Sequence, residues 1–190
     1  MHLAALRYDY LQLSATIKRR PATVSRNFRF EAEAAASLEF EGERRGISLN
    51  SLVNNIFRKY SEFDRLAERT DMVTLNRYVL RMMLDLIPED MLSRHAYDLG
   101  TQTGYDTLLF WKKEVSTDDL RKYITNDLCK YGRLADYDAK LGTGALVLTH
   151  DLGPHGTVFL KSYIKGVIVG SLKKDVPVEA VGSTISFSLN

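Results

Sequence analysis

One cysteine, Cys129, stands among 190 residues. A lone cysteine excludes an internal disulfide and fits a reducing cytoplasm, which is the expected location. No apolar run approaches the ~18 residues that a membrane-spanning helix needs, so no membrane partner is expected. Residues 1–14 interrupt their apolar positions with Arg7 and Asp9 and lack the apolar core of a secretory signal. A Gly-rich phosphate loop, a nucleophile elbow and a two-histidine zinc helix are all missing. We therefore expect no enzyme, no catalytic residue, no metal site and no cofactor.

What is present is the composition of an ordinary globular protein, 45% hydrophobic and 26% charged. That length suits one good-sized domain or two small ones. The formal net charge of +2 is the sum of unlike parts. Residues 1–70 carry 12 Lys/Arg against 9 Asp/Glu, whereas residues 71–190 carry 14 against 15. Within the first thirty, Arg7, Lys18, Arg19, Arg20, Arg26 and Arg29 face a single acid, Asp9. A basic stretch ahead of a folded segment meets nucleic acid in one reading and is a solvated arm in the other.

Residues 23–30 alternate, with Val24, Arg26, Phe28 and Phe30 on one face and Ser25, Asn27 and Arg29 on the other. Period two predicts a short half-buried strand. From Glu31 the alanine-rich pattern turns helical, with Gly46 as its stop behind Arg44 and Arg45. Ser48 is then a good N-cap between Ile47 and Leu52 at the staple positions. Leu49, Leu52, Val53, Ile56, Phe57, Tyr60 and Phe63 continue at helical spacing to about Glu68.

Further helices are predicted over 75–87 (capped by Thr74, stopped before Pro88), over 89–99 (ended by Gly100), over 107–113 and over 120–131, opened by Thr117-Asp118-Asp119. Segments 133–141 and 145–151 flank Gly142-Thr143-Gly144 as a hairpin. A helix over 157–174 follows, and 176–181 with 184–189 make a second hairpin around Gly182-Ser183. The fold class expected is α+β, with antiparallel hairpins packed on helices.

Residues 23–69 are too few to bury an adequate core, and their strand has no partner within the unit. Two copies solve both problems: antiparallel strands pair across a two-fold axis and the helices close beneath. Phe28 and Phe30 would enter that core. Such a ribbon fits the major groove, where Arg29 suits guanine, Asn27 suits adenine and Ser25 donates or accepts.

The order strand, helix, Arg45-Gly46-Ile47-Ser48-Leu49-Asn50-Ser51-Leu52, helix resembles the ribbon-helix-helix family of prokaryotic transcription regulators over about a quarter of the chain. The resemblance implies a homodimer on double-stranded DNA, with Ser25, Asn27 and Arg29 reading bases. It implies phosphate contacts at Ser48, Asn50 and Ser51, and the basic charge adds Arg19 and Arg20. Glu41 stands where an apolar residue is expected. Gly42 falls inside the first helix, at about 1 kcal/mol relative to alanine.

The domains expected are a basic arm over 1–22, the ribbon-helix-helix unit over 23–69 and an α+β sensing or oligomerisation domain over 70–190. By element order the last resembles the vinyl-reductase-like and haem–nitric-oxide-binding group, which implies a small-molecule effector. His150, Asp151 and His155 bracket a Gly-Pro-His-Gly turn and are either ligand-binding groups or caps that satisfy the core. Tyr105, Phe110, Trp111, Tyr123, Tyr131 and Tyr137 line a pocket or pack as core. Cys129 reads most simply as a small buried hydrophobe. The alternative function is an antitoxin or other interaction module that represses its own operon and grips a protein partner.

Overall fold

A computed structural model describes residues 23–70, 72–112, 115–139 and 145–189. The chain divides into two units, Met1–Leu52 and Val53–Asn190, with the division inside one helix.

In the first unit, residues 23–30 form no regular secondary structure and are exposed. The strand expected there is not formed, and among the described residues no strand pairs with this segment, whereas a strand needs a ladder partner. The Phe28 and Phe30 rings nonetheless lie 6.4 Å apart, as residues two apart do on one side of an extended backbone.

Helix α1 spans Ala32–Arg45. Gly46 ends it at φ 64°, its N–H donating to the Glu43 carbonyl at 3.0 Å while the Ile47 N–H reaches the Gly42 carbonyl at 3.0 Å. This double closure needs a left-handed residue, so glycine stands there. It also accounts for Gly42, where a methyl would stand 3.1 Å from the Ile47 carbonyl oxygen. Glu41 is exposed to its neighbours rather than to a core: hydrogen bonds from Arg44 and then Arg45 hold its carboxyl down at about 2.

Helix α2 spans Leu49–Lys59 and continues through a π-helical turn at Tyr60–Asp64, an α turn at Arg65–Ala67 and a 3₁₀ turn at Glu68–Thr70. Ser48 caps it, its Oγ accepting from the Ser51 N–H at 3.2 Å. Of the helical stripe, Leu52 and Phe63 are buried, while Leu49, Ile56, Phe57 and Tyr60 stay exposed.

The second unit places α3 at Arg77–Asp85, α4 at Glu89–Lys112, α5 at Thr117–Lys122 with a π-helical continuation at Tyr123–Tyr131, and α6 at Gly153–Leu172. Asn76, not Thr74, caps α3: its Oδ1 accepts from the Tyr78 N–H at 2.8 Å. Ser116 caps α5 by accepting from the Asp119 N–H at 3.1 Å.

Helix α4 is continuous where two helices were expected. Gly100 does not stop it; it lets a neighbour approach. A methyl at Gly100 would overlap the Tyr163 carbonyl and stand 2.8 Å from the Val167 nitrogen, and one at Gly104 would stand 3.0 Å from the Val167 Cα. Gly166 and Gly170 of α6 meet the α4 backbone around Tyr97 and Thr101 in the same way. Two glycine pairs, each four residues apart, thus bring α4 and α6 into backbone contact, and that packing offsets their poor helix propensity.

Strands β1 (Asp136–Ala139), β2 (Ala145–Thr149), β3 (Glu179–Val181) and β4 (Thr184–Ser188) form one antiparallel sheet in the order β1-β2-β4-β3. The Gly142-Thr143-Gly144 turn lies outside the described residues. The second hairpin turns at Gly182, φ 59°. Alternation places Leu146 and Leu148 of β2 opposite Phe187 and Ile185 of β4, all buried. They pack with Leu160, Ile164, Val167 and Ile168 of α6 and with Leu120 and Ile124. The unit is a mixed helix and antiparallel-sheet structure, hence α+β. No helix among the described residues is long and apolar enough to cross a membrane.

Candidate functional site

Two regions hold the residues singled out for function, one in each unit. In the first, Ser25, Asn27 and Arg29 are all exposed, as are Val24, Phe28 and Phe30 on the alternate positions. Val24 is 71% exposed, Phe28 58% and Phe30 49%. Exposed apolar side chains on one parity of an extended segment are suited to burial against a further element. Ser48, Asn50 and Ser51 stand at the start of α2, where the Ser48 and Ser51 hydroxyls share a hydrogen bond of 2.9 Å. Arg19 and Arg20, with the arm over 1–22, lie outside the described residues.

The second region lies where β2 ends and α6 begins. Pro154 occupies the first turn of α6, where its missing N–H costs nothing. The helix starts at Gly153 rather than at Thr157, because Gly153 at φ 74° turns the chain straight into it. His150 is buried and uses both ring nitrogens. Its Nδ1 accepts from the Leu152 N–H at 3.2 Å, so the proton sits on Nε2, which meets Thr157 Oγ1 at 3.2 Å. Thr157 in turn donates to the Gly182 carbonyl at 2.9 Å, and the His150 N–H donates to the Ser183 carbonyl at 3.1 Å. This chain ties the end of β2, the start of α6 and the β3–β4 turn together. Burial lowers the pKa of His150, with the charge of Asp151 acting the other way.

Asp151 and His155 take different partners. Asp151 is exposed and receives Arg77 at 3.0 Å, while the same guanidinium donates to the Arg133 carbonyl at 2.8 Å. His155 Nδ1 lies 3.4 Å from Asp85. The three residues therefore share a loop without converging on one point. Among the described residues no group of three or more histidine, cysteine or carboxylate side chains is placed to hold a metal ion.

The aromatic positions divide. Tyr123 is buried and its hydroxyl meets that of Tyr163 at 2.8 Å, while Tyr105, Phe110 and Tyr137 are exposed. Burial raises the pKa of both members of the pair. Cys129 is buried, and desolvation pushes its thiol up to about 12, which leaves it a poor nucleophile at neutral pH. A groove of about 750 Å³ runs along α4 and α6, lined by Arg94, Lys161 and Lys165 together with Asp90 and Asp175. Arg94 lies 3.7 Å from Asp90 and Lys165 lies 3.5 Å from Asp175, so opposite charges largely answer one another there.

Three contacts that sequence reasoning missed organise the second unit. Arg77 is one. The second is the joint between the two π-helical segments: Tyr131 donates to Glu62 Oε2 at 2.6 Å and its ring lies 5.5 Å from that of Phe63. Lys59 spans the first π turn to Asp64 at 2.8 Å. The third is the glycine crossing of α4 and α6, whose only signal was the repeated four-residue glycine spacing. Comparison with protein-family models, with curated proteins and with solved structures finds no match to this chain.

Proposed function

We propose that the protein is a sequence-specific DNA-binding transcription regulator. It acts as a homodimer in which residues 24–30 of two chains pair into a ribbon that enters the major groove. The observation that carries this reading is the exposed, mainly apolar parity of Val24, Arg26, Phe28 and Phe30, set against Ser25, Asn27 and Arg29 on the other parity. A two-fold partner buries the apolar side chains of the first set and leaves the second to face base edges.

Arg29 reads guanine, Asn27 reads adenine, and Ser48, Asn50 and Ser51 contact phosphate. The excess of basic residues in the first thirty supports an electrostatic contribution to affinity that falls with salt. The C-terminal domain serves as an effector-sensing or assembly module.

Selection from a pool of random duplexes tests the reading. The full chain is expected to enrich a motif with two-fold symmetry, and the combined S25A, N27A and R29A variant is expected to lose that enrichment while keeping its fold. Failure of the wild type to enrich any motif overturns the reading.

A further inference from the structure

Helices α4 and α6 lie side by side and run in the same direction. Ser93 meets Ser162, the Tyr97 carbonyl meets Gly166 and Thr101 meets Gly170, so each turn of one helix matches a turn of the other. The groove of about 750 Å³ follows this seam. Between the helices the half-buried Ser93 and Ser162 hydroxyls share one hydrogen bond of 3.0 Å. One proton serves that bond, and the second hydroxyl proton is left to donate elsewhere.

Three cations flank the hydroxyl pair: Arg94 from α4, and Lys161 and Lys165, one turn apart, from α6. The acids that answer them do so loosely. Arg94 lies 3.7 Å from Asp90 and Lys165 lies 3.5 Å from Asp175, with the two carboxylate side chains 78% and 80% exposed. Exposed pairs of that length contribute little to stability, so an incoming anion displaces them at small cost. Lys161 has no ion-pair partner among the described residues.

We propose that this groove binds a small organic phosphate, a monoester whose phosphoryl group sits on the Ser93–Ser162 pair among Arg94, Lys161 and Lys165. Three terminal oxygens accept from a hydroxyl, a guanidinium fork and two ammonium groups at once, which is more than one carboxylate can do. The organic part lies against Tyr97 and Val169, half-buried in the same groove. Asp90 and Asp175 limit the size of the anion. A polyphosphate or a nucleic-acid backbone continues past one phosphate and meets these carboxylates, whereas a monoester does not. Binding here does not depend on the ribbon; only its use as an effector site rests on the DNA-binding reading.

Isothermal titration calorimetry of the full chain tests this, with phenyl phosphate as the probe, phenol as its uncharged counterpart, and circular dichroism to confirm that each variant is folded. Phenyl phosphate is expected to bind saturably and phenol to give no saturable heat. Arg94→Ala and Lys161→Ala are each expected to weaken binding about tenfold or more, since each removes a hydrogen bond between ionised groups. Lys174→Ala, an exposed lysine outside the groove, is expected to change nothing. Asp90→Asn and Asp175→Asn are expected to tighten binding about two- to fivefold, because each removes a competing carboxylate. A purely structural role for these acids gives no such gain. Absence of saturable binding overturns the proposal, and so does an affinity that Arg94→Ala and Lys161→Ala leave unchanged. Weaker binding in Asp90→Asn overturns it as well, by assigning the groove to a ligand that carries positive charge. A chain that enriches a DNA motif but binds no phenyl phosphate keeps the ribbon and loses this site, whereas the reverse result keeps the site and loses the ribbon.

Discussion

The two units treat their apolar residues in opposite ways. In the second, Leu146, Leu148, Ile164, Ile168 and Ile185 are completely or almost completely buried, and one sheet closes on α6. In the first, the described residues bury little: Leu52 is covered, while Val24, Phe28, Phe30 and Phe40 face outward. A hydrophobic position is informative only together with what covers it. One unit satisfies its pattern within the chain, and the described residues of the other leave theirs exposed. We read that open pattern as the half of a dimer.

The contrast breaks first at the glycines. Gly166→Val should cost about 3 kcal/mol, since its side chain must enter the space of the Tyr97 carbonyl, and urea denaturation of the second unit reads the loss. Gly46→Ala should cost about 1 kcal/mol, because there the penalty is only the left-handed backbone, with no atom within 4 Å of a new methyl. Equal losses at the two sites would remove the distinction between a steric and a conformational glycine.

Arg29→Ala should weaken specific DNA binding by about 1–3 kcal/mol while leaving the thermal stability of both units unchanged. Unaltered selectivity in that variant counts against the ribbon.

His150 offers a pH test confined to the second unit. Its folded pKa lies below the ordinary 6.5, so the unfolded chain takes up the proton more readily. Stability should therefore be level above pH 6.5 and decline as pH falls below it. His150→Ala should cost about 1–3 kcal/mol at neutral pH and flatten this dependence. A decline of the same size in the variant would assign it to another group. The smallest effect belongs to Glu41→Gln, which breaks only exposed pairs with Arg44 and Arg45. The melting temperature in physiological salt should stay within error.

What was legible in the sequence was what is decided locally. Gly46 and Ser48 mark their helix ends because capping involves residues three or four apart. The second hairpin follows from Gly182-Ser183 between alternating segments. Gly100 misled because the same residue serves as a stop or as a close contact, and only α6, sixty residues on, decides which. Asn76 displaced Thr74 because both are good caps two residues apart. The partners of Asp151 and His155 come from α3, which no local pattern around residue 150 announces. The expected strand over 23–30 has no ladder partner among the described residues, and no local pattern reveals that.

That strand is where the account is tested most directly. Amide hydrogen exchange over residues 23–30 of the full chain, followed across a dilution series, reports whether those N–H groups are paired. Pairing across the proposed two-fold predicts protection at high concentration that is lost on dilution. Exchange at the rate of an unstructured peptide at every concentration would contradict the ribbon, and with it the proposed mode of DNA recognition.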